Sequence, residues 1–285
     1  MKETVIFKNK DLYITLANII LDNKVNDPKE PNNIILKSES LGIVRSFMRK
    51  EFSQDYCLAG NFCNLEKVKL SSGKRTKYDP KRKRVCIHYT KSLEDAFSLV
   101  YMFYYAKNFC ENKDLKQELF KKVFPSVEEL RLCDYLKGTK LEQEATIQIL
   151  NNLKHNVLIA NNAKTYLDLY NHIKKHGTLD FETLDPKLYN YYKDYGDIYN
   201  RDDYGRNMFG SIVALYIYNK LDSKELSINE YIKLRDYLKK LSIDDITKNL
   251  DLNIHIDNEG LHISDDSISK LERVYKLEVD KFNER

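Results

Sequence analysis

The stretch Ser92–Lys107, SLEDAFSLVYMFYYAK, constrains this chain more than any other. Read at helical spacing, it has almost no polar face: Ala96, Phe97, Leu99, Val100, Met102, Phe103 and Ala106 spread around the circumference. A helix that is apolar on every side belongs inside a larger assembly of elements, not on its surface. Ser92 is placed to cap its start and Asp95 to complete a capping box. Glu94 and Asp95 put negative charge at the positive end of the helix dipole. The run Leu99–Ala106 is the longest apolar or aromatic one and falls far short of a membrane span.

What surrounds this helix reads as helical too. With only 9 Gly and 5 Pro in 285 residues, the chain lacks the turns of an all-β fold. From Ser92 onward the apolar period predicts helices over 92–108, 113–121, 126–137, 141–176, 186–193, 207–221, 227–239, 242–248 and 266–281. Residues 43–52 read as helix, and 11–22 as either helix or strand. The short apolar runs between Cys57 and Tyr89 form the only expected β-sheet besides a small hairpin around Asn258-Glu259-Gly260. The fold class is therefore mainly α with a small sheet near residues 57–89. Residues 1–285 make one unit, in which 1–40 are the least constrained.

The phrase Val85-Cys86-Ile87-His88-Tyr89-Thr90-Lys91-Ser92-Leu93-Glu94-Asp95-Ala96-Phe97-Ser98-Leu99 resembles the lead-in to the active-site helix of the thimet oligopeptidase and oligoendopeptidase F family. In that family a strand runs straight into a zinc-binding His-Glu-x-x-His. The resemblance places the first His at Tyr101, the Glu at Met102 and the second His at Tyr105. A later phrase, Lys122 to Leu136, resembles the helix that supplies the third zinc ligand. That ligand falls on Val123 when the match is made on Ser126, and on Lys122 when it is made on Asp134-Tyr135-Leu136; Val123 is preferred. Residues Asp197–Leu215 resemble the segment that supplies a His and tyrosines to bind substrate. Asp197 takes the place of the His, Gly210 keeps the glycine, and Tyr199 and Tyr204 lie nearby. The catalytic tyrosine falls closer to Gly205 or Asn207. Weaker likenesses, including Gly73-Lys74-Arg75, extend the match over roughly 41–282. The implied fold is a zincin-type catalytic domain without the family's N-terminal helical lobe.

The chemistry implied by these substitutions is loss of the metal. Two His at i and i+4 share one helix face and one zinc, and a catalytic zinc needs three protein ligands plus an open position. The Glu beside the first His takes a proton from the zinc-bound water. Phenols titrating near ~10 are poor ligands at neutral pH. Met102 is no base, Val123 has no donor atom, and Lys122 repels a cation. The resemblance thus implies a pseudopeptidase with no metal or cofactor, retained as a binding or scaffold protein. A peptide or protein is its expected partner, laid along a groove near His88, Tyr199 and Tyr204 and against an edge strand at Val85–Tyr89. The plainer reading, a core helix that happens to carry tyrosines, stands beside it.

Two further readings come from other residues. Lys67, Lys69, Lys74, Arg75, Lys77, Lys81, Arg82, Lys83 and Arg84 form a basic stretch that suits nucleic acid or an acidic partner, although the net charge is only +4. A solvated loop is the preferred account of it. An enzyme with a new, non-zinc site of Tyr, Lys and Asp in the old cleft is the other alternative. His172 and His176 share a helix face, but the intervening Ile-Lys-Lys favours a polar surface over a metal site. Five scattered Cys without C-x-x-C spacing fit free thiols, and the N-terminus has no secretory h-region, so an intracellular protein is expected. No phosphate-binding glycine loop or G-x-S-x-G elbow is present.

Overall fold

The computed structural model describes residues 6–28, 34–51, 69–71, 77–79, 84–108, 115–176, 184–195, 201–238 and 240–285. Two helices organise the core. The first is α3 (Glu94–Asn108), the apolar stretch singled out above; the second is α8 (Arg201–Asp222). Ala96, Phe97, Leu99, Val100, Met102, Phe103 and Tyr104 of α3 are all buried. In α8 every residue from Met208 to Tyr218 except Gly210 and Ser211 is a buried apolar or aromatic side chain. Around them lie α1 (Lys10–Leu21), α2 (Lys37–Glu51), α4 (Leu115–Phe120), α5 (Val123–Tyr135) and α6 (Glu142–His176). α7 (Pro186–Tyr195), α9 (Ile228–Asp236), α10 (Ile243–Leu250) and α11 (Asp265–Glu284) complete the helices among the described residues. α5 bridges α3 and α8, and α6 packs on α8, α1 and α5. One cluster of buried side chains runs from Ile6 to Phe282.

The fold is mainly α, as the sequence suggests, and its sheets are small. β1 (Lys69–Ser71), β2 (Lys77–Asp79) and β3 (Arg84–His88) form one sheet in the order β1-β3-β2. Cys86 pairs with Lys69 in parallel on one side and with Lys77 in antiparallel on the other. The expected edge strand at Val85–Tyr89 is therefore a correction: Arg84–His88 is the central strand. β1 lies along Cys86–His88 on one side and β2 along Arg84–Cys86 on the other. β4 (Ile254–Asp257) and β5 (Gly260–Ile263) form the expected hairpin, with Gly260 at φ +110°. A side chain there would press on the Ile6 carbonyl, 2.6 Å from an added Cβ.

Three local readings change. Residues 11–22, ambiguous in sequence, are α1; its Asn9 cap accepts from Asp11 N and Leu12 N. α5 begins at Val123, three residues before the expected start at Ser126. Pro125 sits in its first turn, where a missing N–H costs nothing. At the start of α3, Ser92 and Asp95 form no capping box. The Asp95 carboxylate turns back to accept from Thr90 N at 2.9 Å, Thr90 Oγ1 at 3.1 Å and Lys91 N at 3.1 Å. That tight entry holds Lys91 at φ 61°. Among the described residues no helix is long and apolar enough to cross a membrane.

Candidate functional site

Where α3, α5, α6 and α8 meet, they line a half-open cavity of about 340 Å³. α3 contributes Ser98, Tyr101 and Met102; α5 contributes Ser126, Glu129 and Leu130, with Lys122 at its N-cap. α6 presents Asn152, His155, Asn156 and Ile159, whose spacing places them on one helix face. α8 closes the far side with Asn207, Ser211, Ala214 and Leu215. The lining is mixed: an apolar wall, with polar groups gathered near Lys122 and near Glu129.

Lys122 is held by close packing. An added Cβ on Gly210 would come within 3.0 Å of the Lys122 Cβ, so the glycine of α8 leaves room for the lysine stem. The Lys122 ammonium donates to Asn207 Oδ1, and Asn207 Nδ2 donates in turn to the Asp203 carbonyl at 2.8 Å. Burial pulls the Lys122 pKa down to about 8. The charge of Asp203 opposes this, while Arg206 and Lys121 push the same way. At the other polar end, burial pushes the Glu129 carboxyl up to about 8, against a weak opposing bond from Asn152 Nδ2 at 3.5 Å. Burial, then the charge of Glu129, raises the Tyr101 phenol. Burial, then Lys122, lowers the His155 imidazole. At neutral pH the cavity therefore holds a neutral carboxylic acid, a neutral phenol, a neutral imidazole and one ammonium.

Three of the positions that the resemblance sets at the metal site line this cavity together: Tyr101, Met102 and Lys122. Tyr105 does not line it. Its ring stacks on Tyr101 with centroids 6.2 Å apart, and the Lys121 ammonium sits 5.0 Å above its own centroid. Val123, the preferred third-ligand position, is fully buried in the core. Tyr204 is a correction as a groove residue: it is 2% exposed and packs against Tyr166 at 6.1 Å between centroids. His88 is exposed at the end of β3, away from the cavity lining. An added Cβ on Gly205 would lie 2.3 Å from the Phe7 ring, so a tyrosine has no room there; Asn207 lines the cavity instead. Asp197, Tyr199, Lys74, Arg75, Lys81, Arg82 and Lys83 lie outside the described residues, and Arg84 opens β3.

Sequence reasoning missed Glu129, Asn152, His155 and Asn156. A signal existed for α5: Ser126, Glu129 and Leu130 stand four, seven and eight residues after Lys122, on one face. Nothing in sequence says that this face and that of Asn152 and Asn156 meet. His172 and His176 have ring centroids 4.5 Å apart. Among the described residues, no group of three or more His, Cys, Asp or Glu side chains could hold a metal. Comparison with family models, curated proteins and solved structures finds no match to this chain.

An ammonium facing a cavity with a depressed pKa is a cost to folding. A lysine whose folded pKa lies near 8 binds fewer protons than the unfolded chain between about 8 and 10.5. Its penalty is thus present in full at pH 7 and relieved as pH rises through that window. Lys122→Met, which keeps the stem and removes the charge, is expected to stabilise the protein at pH 7 by about 2 kcal/mol, after allowance for solvent in the cavity. Urea unfolding of both proteins at pH 7 measures this. A destabilised variant would show that the ammonium, through its bond to Asn207, contributes more to folding than its burial costs.

Proposed function

We propose that this chain is a metal-independent ligand-binding protein, a relative of the zinc oligopeptidases in which the former metal pocket has become a small-molecule site. What carries the reading is a coincidence of place. Tyr101, Met102 and Lys122, which the resemblance sets at the first His, the Glu and one of the two candidate third-ligand positions, border a single cavity. The volume falls in the range of small-ligand pockets, about 300–1,000 Å³. Its lining of apolar side chains with a few placed polar groups is the usual composition of such sites. Perturbed protonation at Lys122 and Glu129 adds support, because groups shifted by burial concentrate where proteins bind or react. The reading requires only the helices around the cavity, whatever the rest of the zincin-type domain has become.

Purified protein is expected to contain zinc far below stoichiometry and to lack peptide cleavage that a chelator abolishes. Metal analysis beside a quenched-fluorescent peptide assay tests this. Stoichiometric zinc with chelator-sensitive cleavage would overturn the reading.

A further inference from the structure

We propose that the cavity takes a small carboxylic acid with an apolar body, its carboxylate held by the ammonium of Lys122. This rests on reading the cavity as a ligand site. The argument is one of charge balance. Among the described residues, no carboxylate lies within 4.0 Å of the Lys122 ammonium, whose side-chain partner is the neutral amide oxygen of Asn207. The acids that influence Lys122 from nearby are committed elsewhere. Asp203 pairs with Arg206 at 2.7 Å, and Glu118 pairs with Lys121 at 3.3 Å and Arg206 at 3.7 Å. Lys122 is the only Lys or Arg among the lining residues, and Glu129 adds no negative charge at neutral pH. The cavity thus carries one positive charge with no counter-charge of its own. A buried charge without a partner is unfavourable, and a ligand carboxylate supplies that partner.

The other walls narrow the class. Leu130, Ile149, Leu153, Ile159, Ala214 and Leu215 present an apolar surface, which suits a hydrocarbon or aromatic body. One ammonium without an arginine or a glycine-rich loop fits a monoanion better than a phosphate dianion, which binds best to clustered donors and guanidinium groups. Cationic ligands would meet Lys122 directly. At the far end the protonated Glu129, next to Asn152, can donate a hydrogen bond to an oxygen on the ligand body. Binding of a carboxylate favours the charged form of Lys122, so the lysine becomes more basic when the cavity is filled.

Trace acetylation of the native protein, read by peptide mapping, tests the proposal with benzoate as the acid and benzamide as its neutral counterpart. Lys122 is expected to react with a midpoint near pH 8 in the empty protein. Benzoate at about ten times its dissociation constant should slow that reaction roughly tenfold and move the midpoint upward. Benzamide should leave it unchanged, and exposed Lys224 should respond to neither. Benzoate should also raise the unfolding temperature of the native protein but not of Lys122→Met. Equal protection by both probes, no protection by either, or a benzoate shift retained in Lys122→Met would overturn the carboxylate assignment. In those cases a freely reacting Lys122 leaves the cavity reading intact. A Lys122 that resists acetylation at every pH at which Lys224 reacts would remove both, because the cavity would then admit nothing.

Discussion

Glu128→Ala is expected to cost about 3–5 kcal/mol of folding stability, the cost of leaving buried charges without their partner. Glu128 precedes the cavity residue Glu129 and points the other way, into the junction of α3, α5 and α9. Its side chain is fully buried, as is that of Arg235. Glu128 Oε1 accepts from Arg235 at 2.7 Å and from the Tyr231 hydroxyl at 2.7 Å, while Oε2 accepts from Arg131 at 3.2 Å. The Arg235 guanidinium also stacks 4.6 Å from the Tyr104 ring centroid on α3. Asp236 takes a further bond from Arg235 at 2.7 Å and one from Lys107 at 2.9 Å. Burial alone would raise the Asp236 pKa; these cations outweigh it and hold it below the usual carboxylate range. Alanine at 128 takes from the buried Arg235 one of the carboxylates that pair with it and leaves Asp236. The double variant Glu128→Leu with Arg235→Met removes both charges and should recover much of the loss. Urea unfolding of the three proteins decides it. A single variant within 1 kcal/mol of the parent would mean that water reaches this junction.

Much of the scaffold could be read from the chain because each element carried its own signal. The apolar girth of Ser92–Lys107 required burial, and α3 is buried. The turn at Asn258-Glu259-Gly260 placed the hairpin, and Ser227 with Glu230 and Ser242 with Asp245 form the capping boxes that start α9 and α10. What was not legible depends on contacts between distant segments. Strand order is one case: nothing local in Arg84–His88 distinguishes a central strand from an edge, and the pairing with Lys69 and Lys77 decides it. The Ser92–Asp95 spacing matched a capping box, yet Asp95 found better donors in Thr90 and Lys91. The two glutamates are the sharpest case. Glu128 and Glu129 are identical in sequence terms. One helical step of about 100° sends the first into an ion network and the second into a cavity.

The cavity has a common physical logic at its two polar ends. Each ionisable group that lines it is held in a state that burial favours or penalises, and the apolar walls supply that burial. Lys122 keeps a charge at a cost, while Glu129 gives its charge up. A core selected for stability alone would carry leucine or methionine at both places. Under the proposed ligand-binding reading, these groups stand beside Asn152, His155 and Asn156 at some expense to the fold.

Glu129→Gln is expected to flatten the pH dependence of stability between pH 5 and 8 by about 2–3 kcal/mol. The Glu129 carboxyl titrates near 4.5 when unfolded and near 8 in the folded protein. Between those values the folded chain holds a proton that the unfolded chain has released. Stability from this group is therefore complete at the acid end and lost as pH rises through 8, the reverse of a salt-bridged carboxylate. The full shift corresponds to roughly 5 kcal/mol, and solvent in the cavity reduces what is measured. Glutamine keeps the shape and the bond to Asn152 but cannot ionise, so its stability should not fall over this range on that account. Lys122 contributes a slope of the opposite sign only above about pH 8, and His155, whose pKa burial lowers, titrates in parent and variant alike, so the difference between their profiles reports Glu129. The comparison is made by urea unfolding of the parent and variant at pH 5, 6, 7 and 8, in the same salt. Parallel profiles would mean that Glu129 is ionised and hydrated in the folded protein. The cavity would then hold a negative charge at the end away from its ammonium, and the charge-balance argument for an acidic ligand would lose one of its supports.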